Sequence, residues 1–182
     1  MDNRRLVNAI SLFRIPIGLG FVLVFREDEL LFVLSIFLCL AAALTDVLDG
    51  FFARRRGIAS VYGRQMDSLG DKAFYMAVVV AFLHNGLLGP ILAWSLVTRE
   101  IALYILRVLH IEKLPQLEEI RFYTNWHGYC MYALILLGLG EMYGRIHAQE
   151  LELMFFIQLC AGGAVLFGIA SIFKFLSLKT QP

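Results

Sequence analysis

The chain alternates long apolar runs with short polar breaks. Six runs approach the about 20 residues that a helix needs to cross a bilayer core. They lie near 8–25, 30–54, 61–83, 87–109, 120–140 and 151–178. Charged clusters separate them, Arg26 to Glu29 and Arg54 to Gly57, and a longer polar loop runs from Ile111 to Glu119 around Pro115. Pro90 suits a first helical turn, where its missing N–H costs nothing. Gly162, Gly163 and Gly168 in the last run permit close helix contact. The pattern predicts an all-α integral membrane bundle of six transmembrane helices in a single domain over 1–182. No internal repeat, coiled coil or low-complexity tract interrupts it.

Charge then gives the orientation. Six spans place both termini on one side. That side collects Arg4, Arg5, Arg54, Arg55, Arg56, Arg64, Lys113, Lys174 and Lys179, while the opposite loops hold only Arg26 and Arg145. Lys and Arg concentrate on the cytoplasmic side, so both termini are expected in the cytoplasm. The first run carries Arg14 and lacks a small-x-small cleavage site, so it reads as a retained span rather than a signal peptide.

Composition fixes the class. With 59% hydrophobic residues, 17% charged residues and a mean hydropathy of +0.72, the chain is too apolar for an ordinary soluble domain. A net charge of +1, with no basic run interleaved with aromatics, argues against nucleic-acid binding. Cys39, Cys130 and Cys160 are scattered without metal-ligand spacing and read as small, reduced core residues. His84, His110 and His147 read as loop and interface residues.

Four aspartates break the apolar pattern. Asp46 and Asp49 close the second run, and Asp67 and Asp71 open the third. Carboxylates at membrane helices are costly and mark function by default. Spacings of three and four put each pair on one helix face. Gly50, Ala53, Gly63 and Gly70 keep those faces small, so a backbone or ligand can come close. Four neighbouring carboxylates repel one another unless cations intervene. Oxygen-only ligation suits Mg²⁺, Mn²⁺ or Ca²⁺, and two such ions about 4 Å apart can clamp a phosphoryl centre. Arg54, beside the acids, suits a phosphate oxygen. A plainer reading makes the aspartates caps or partners of Arg54, Arg55, Arg56, Arg64 and Lys72, which accounts for one or two of the four. The same acids could line an ion-coupled transporter or channel, but the broken helices and repeat symmetry of transporters are missing.

Asp46-x-x-Asp49-Gly50-x-x-Ala53-Arg54, eight residues, then Gly63-x-x-x-Asp67-x-x-x-Asp71 resembles the signature of the CDP-alcohol phosphatidyltransferase family at every fixed position. The resemblance implies a six-helix membrane enzyme, usually a homodimer, in which an alcohol hydroxyl displaces CMP from a CDP-linked donor. It implies that Asp46, Asp49 and Asp67 bind Mg²⁺ or Mn²⁺, two ions in all. Asp71 would ligate or adjoin the second ion and act as general base. Asp49, Gly50, Ala53, Arg54, Gly63 and Asp67 would line the CDP pocket, with Arg54 on the diphosphate.

The acceptor is read from other segments. Asn8-x-x-Ser11-x-x-Arg14, and Arg99-Glu100 with Arg107, look like phosphatidylglycerophosphate synthases. That resemblance implies transfer from CDP-diacylglycerol to glycerol 3-phosphate, in a bacterial cytoplasmic membrane with the active site facing the cytoplasm. Arg99, Arg107, Arg121, Thr124 and His127 are the acceptor-binding candidates. Plainer readings stand beside them: Arg14 as an interfacial residue snorkelling to phosphates, Arg99-Glu100 as a buried ion pair fixing the fourth helix, Arg107 as a positive-inside anchor, and His127 as a hydrogen-bonded helix residue. The fifth span departs from the pattern. Where those synthases open it with Gly-Lys-x-Lys-Thr-x-x-Gln, this chain has Ile120-Arg121-Phe122-Tyr123-Thr124-Asn125-Trp126-His127. With one cation fewer, inositol phosphate, phosphatidylglycerol and serine stay open as acceptors.

Overall fold

A computed structural model describes residues 12–55, 61–110, 118–149 and 151–178, and side chains among them except at 46–55 and 61–68. Among the described residues six helices follow in chain order: α1 (Arg14–Val24), α2 (Glu29–Arg55), α3 (Val61–His84), α4 (Pro90–Leu109), α5 (Arg121–Ile146) and α6 (Met154–Ser177). No strand occurs among the described residues. Met154–Ser177 is the helix, among the described residues, that is long and apolar enough to cross a membrane. Arg14–Val24 and Glu29–Thr45 are apolar but shorter.

The helix boundaries follow from local chemistry. The Asp28 carboxylate accepts the Leu31 N–H at 2.9 Å, the bond of an N-cap at the start of α2. α3 closes on Gly86, whose φ of +68° is the left-handed conformation glycine tolerates. The Leu87 N–H then reaches the Phe82 carbonyl at 2.9 Å and the Gly86 N–H reaches Leu83 at 3.2 Å, the paired bonds of a Schellman motif. Pro90 takes the first turn of α4 after an extended Gly89. α5 runs past the expected end near Gly140 to Ile146. There the Gln149 N–H closes on the Gly144 carbonyl at 2.8 Å, and Glu141 turns back to accept the Leu153 N–H at 3.1 Å. The expected loop at 111–117 lies outside the described residues.

Contacts divide the chain into two compact units. The first comprises Met1–Ala81 with Arg145–Ala148, and the second Phe82–Gly144 with Gln149–Pro182. In the first unit α1 buries Arg14, Ile17, Gly18 and Phe21, one helical face at i, i+3, i+4 and i+7. A Cβ on Gly18 would stand 3.0 Å from the Ala77 Cβ and 3.5 Å from the Phe74 Cα, so glycine sets how closely α1 meets α3. The Phe21 ring meets Phe74 edge-on at 5.9 Å. In the second unit α4 packs on α6, Trp126 of α5 stacks on Phe167 of α6 at 5.7 Å, and Gln158 donates to the Leu87 carbonyl at 3.0 Å.

Beside an apolar core that includes Phe21, Phe82 and Leu134, several polar side chains are buried and many large apolar ones are exposed. Arg14, Ser35, Lys72, Arg99, Glu100, His127 and Ser171 are buried, while Leu19, Phe37, Ile91, Trp94, Leu136, Phe155 and Leu166 are exposed. Cys39, Cys130 and Cys160 are free thiols, partly rather than fully buried.

Candidate active site

The signature lies on two helices of the first unit. Asp46, Asp49, Gly50, Ala53 and Arg54 fall in the last turns of α2, and Gly63, Asp67 and Asp71 in the first turns of α3. The helical backbone keeps each aspartate pair within about one turn. The side chains of Asp46, Asp49, Gly50, Ala53, Arg54, Gly63 and Asp67 lie outside the described residues. Among the described residues no three His, Cys, Asp or Glu side chains gather into a metal-binding group.

Asp71 is described, and its partner is Arg14. The guanidinium Nη1 of Arg14 forms an ion pair with Asp71 Oδ1. Its Nε donates to Thr45 Oγ1 at 3.2 Å, and the Thr45 hydroxyl donates to the Ala42 carbonyl at 2.7 Å. Arg14 is 1% exposed, so it does not snorkel to an interface. A charge so buried is tolerable only when paired and hydrogen-bonded. The carboxylate it holds keeps 39% of its side-chain surface open. Arg14 therefore meets a signature aspartate through a contact between positions 57 apart. Its place in Asn8-x-x-Ser11-x-x-Arg14 was the only sequence signal for it, and Asn8 and Ser11 lie outside the described residues.

The second unit carries the other candidates. Arg99 Nη1 pairs with Glu100 Oε1, and Arg99 Nη2 donates to Ser171 Oγ at 3.2 Å. The same Glu100 oxygen lies 2.7 Å from His127 Nε2. His127 Nδ1 lies 2.8 Å from the Ala164 carbonyl. Both ring nitrogens thus face oxygens. Through these contacts α4, α5 and α6 share one buried polar junction.

Arg99 also lies flat on α6. A Cβ at Gly168 would stand 2.8 Å from its Cγ and Nε, and that Nε has no hydrogen-bond partner. Arg107, two turns further along α4, also has a buried Nε without a partner. Arg121 is exposed at the start of α5. Thr124 bonds locally, donating to the Arg121 carbonyl at 3.1 Å. Arg99 and His127 are therefore brought together through Glu100, while Arg121 and Thr124 bond to neither.

A groove of about 580 Å³ is lined by residues of α4 and α6, chiefly apolar side chains such as Ile91, Trp94, Val165 and Ile169. Its polar lining is Ser95, Thr98 and Arg99.

The family model described as CDP-alcohol phosphatidyltransferase matches residues 4–173. Three relatives are each named CDP-diacylglycerol–glycerol-3-phosphate 3-phosphatidyltransferase. The chloroplastic enzyme 1 of Oryza sativa subsp. japonica is 42% identical over 59 residues, 32% of this chain and 18% of the relative. That of Aquifex aeolicus is 36% identical over 103 residues, 54% of this chain and 55% of the relative. That of Mycoplasma genitalium is 26% identical over 143 residues, 69% of this chain and 58% of the relative. The chain thus spans less than two thirds of the length of each of these three. No solved structure matches the chain.

Proposed function

Because the chain belongs to the CDP-alcohol phosphatidyltransferase family, matching its model over 4–173, we propose that it transfers a phosphatidyl group from CDP-diacylglycerol to glycerol 3-phosphate. The observation that carries this reading is the eight-position signature, all of it on the helical backbone of α2 and α3. The names of the relatives from Aquifex aeolicus and Mycoplasma genitalium favour glycerol 3-phosphate over other acceptors.

The reaction balances simply. The acceptor hydroxyl oxygen bonds to the phosphorus that carries diacylglycerol, and the bond from that phosphorus to the CMP oxygen breaks. CMP leaves, phosphatidylglycerophosphate forms, and Asp71 takes the hydroxyl proton. Arg54 binds the diphosphate, and Asp49, Gly50, Ala53, Gly63 and Asp67 line the CDP pocket. The small residues let the nucleotide lie close to the backbone. Arg107 and Arg121, aided by Arg99, Thr124 and His127, are assigned to the acceptor and its phosphate.

The donor set fits hard divalent cations: Asp46, Asp49, Asp67 and Asp71 offer carboxylate oxygens at helical spacing, with no thiolate or imidazole among them. When bound, two Mg²⁺ or Mn²⁺ ions offset this charge and stabilise the transferring phosphoryl group.

The many exposed large apolar side chains support a six-helix bundle in a lipid bilayer, since exposed Leu, Ile, Phe and Trp suit acyl chains while buried charges pair within the protein. The Lys and Arg bias supports cytoplasmic termini and a site facing the cytoplasm, in a bacterial cytoplasmic membrane. The family resemblance supports a homodimer.

An acceptor panel tests the reading. Purified protein in lipid vesicles, given CDP-diacylglycerol and one alcohol at a time, is expected to release CMP with glycerol 3-phosphate. Serine, inositol phosphate and phosphatidylglycerol are expected to be at least about tenfold poorer in kcat/KM. A better turnover with any of these three would overturn the acceptor assignment.

A further inference from the structure

We propose that Arg14 is a positioning residue that fixes the Asp71 carboxylate for proton transfer and couples it to α2 beside Asp46. The inference rests on the reading of Asp71 as the base.

Three observations carry it. First, α1 delivers Arg14 to a defined place. Residue numbers rise together along α1 and α3, with Arg14 at Asp71 and Gly18 at Phe74 and Ala77, so the close approach at Gly18 sets the distance one turn earlier. Second, the guanidinium is used as a fork. Nη1 holds Asp71 on α3 while Nε holds Thr45 on α2. The Thr45 proton is committed to the Ala42 carbonyl, so its oxygen can only accept from Arg14, and the direction of each bond is set. Thr45 immediately precedes Asp46. Third, Arg14 is 1% exposed and has no surface with which to meet a substrate. It acts through Asp71, whose carboxylate stays 39% exposed. Pinning one carboxylate oxygen restricts rotation of the group, and misplacement by about 1 Å can cost about a hundredfold in rate.

A double-mutant cycle tests this in the full-length protein in lipid vesicles, with radiolabelled donor to read low turnover. Arg14→Gln is expected to lower kcat about a hundredfold and to leave the KM for CDP-diacylglycerol within about twofold. Added to Asp71→Asn, the same substitution should change the residual turnover little. Arg14→Lys keeps the charge without the fork and should recover part of kcat. Thr45→Val removes one arm only, a mild change that guards against misfolding of Arg14→Gln, and should lower kcat less. Additive losses in the double variant, a parallel loss of donor affinity, or full turnover in both Arg14→Gln and Thr45→Val would overturn the proposal. Retained turnover in Asp71→Asn alone would instead overturn the assignment of Asp71 as base.

Discussion

His127 Nε2 lies 2.7 Å from Glu100 Oε1, the oxygen that also receives the Arg99 guanidinium. One carboxylate thereby neutralises a charge on its own helix and ties α5 to α4. Arg99 continues the chain of contacts to Ser171 on α6. These helices are held by polar groups that have no competing water in a low-dielectric interior, so the loss of one member leaves the others unsatisfied.

Glu100→Ala removes the shared acceptor and strands a buried guanidinium. Breaking a buried pair in this way costs about 3–5 kcal/mol. Thermal unfolding in detergent should show a marked fall in Tm, larger than for His127→Ala. Equal Tm values for Glu100→Ala and the unmodified protein would contradict the structural role.

Gly168→Val meets Arg99 directly, because even a Cβ there comes within 2.8 Å of Cγ and Nε. Overpacking of this kind typically costs about 1–3 kcal/mol. Unfolding measurements should show it, and Gly162→Ala, where nothing lies within 4 Å, should be far milder.

Asp71→Asn leaves the shape of the site but removes the carboxylate proposed as proton acceptor. General bases contribute about 10²–10⁴-fold, so kcat should fall within that range. Stabilisation by added CDP should persist in a thermal-shift assay. Loss of both together would assign Asp71 to nucleotide binding alone.

Chelation with EDTA should abolish CMP release, and Mg²⁺ or Mn²⁺ should restore it. Turnover that survives thorough chelation would contradict the carboxylate cluster as a cation site.

Arg107→Ala should raise the KM for glycerol 3-phosphate about tenfold or more, the worth of a hydrogen bond to a charged group. The KM for the donor should barely move. An unchanged acceptor KM would place the unpaired Nε of Arg107 outside the acceptor site.

Much of the fold was legible because apolar run lengths are a strong signal: among the described residues the six runs hold six helices, with ends mostly within a few residues. The miss at Gly140 has a local cause. A glycine after an apolar run reads as a helix end, but Glu141 and Gly144 find partners beyond it in Leu153 and Gln149. The signature was legible because it depends on spacing along helices. The contact of Arg14 with Asp71 was not, because the two stand 57 positions apart and the same arginine suits a membrane interface equally well. Arg99-Glu100 was legible as an ion pair, yet adjacency alone cannot reveal His127 and Ser171, which only helix packing brings in.

The central claim is that the signature helices transfer phosphatidyl groups from CDP-diacylglycerol to glycerol 3-phosphate. Its most direct measurement is the stoichiometry of products in lipid vesicles containing the purified protein and both substrates with Mg²⁺. The account predicts one phosphatidylglycerophosphate formed for each CMP released, with CMP release negligible when glycerol 3-phosphate is omitted. CMP released at the same rate without the acceptor, or no lipid product alongside it, would contradict it.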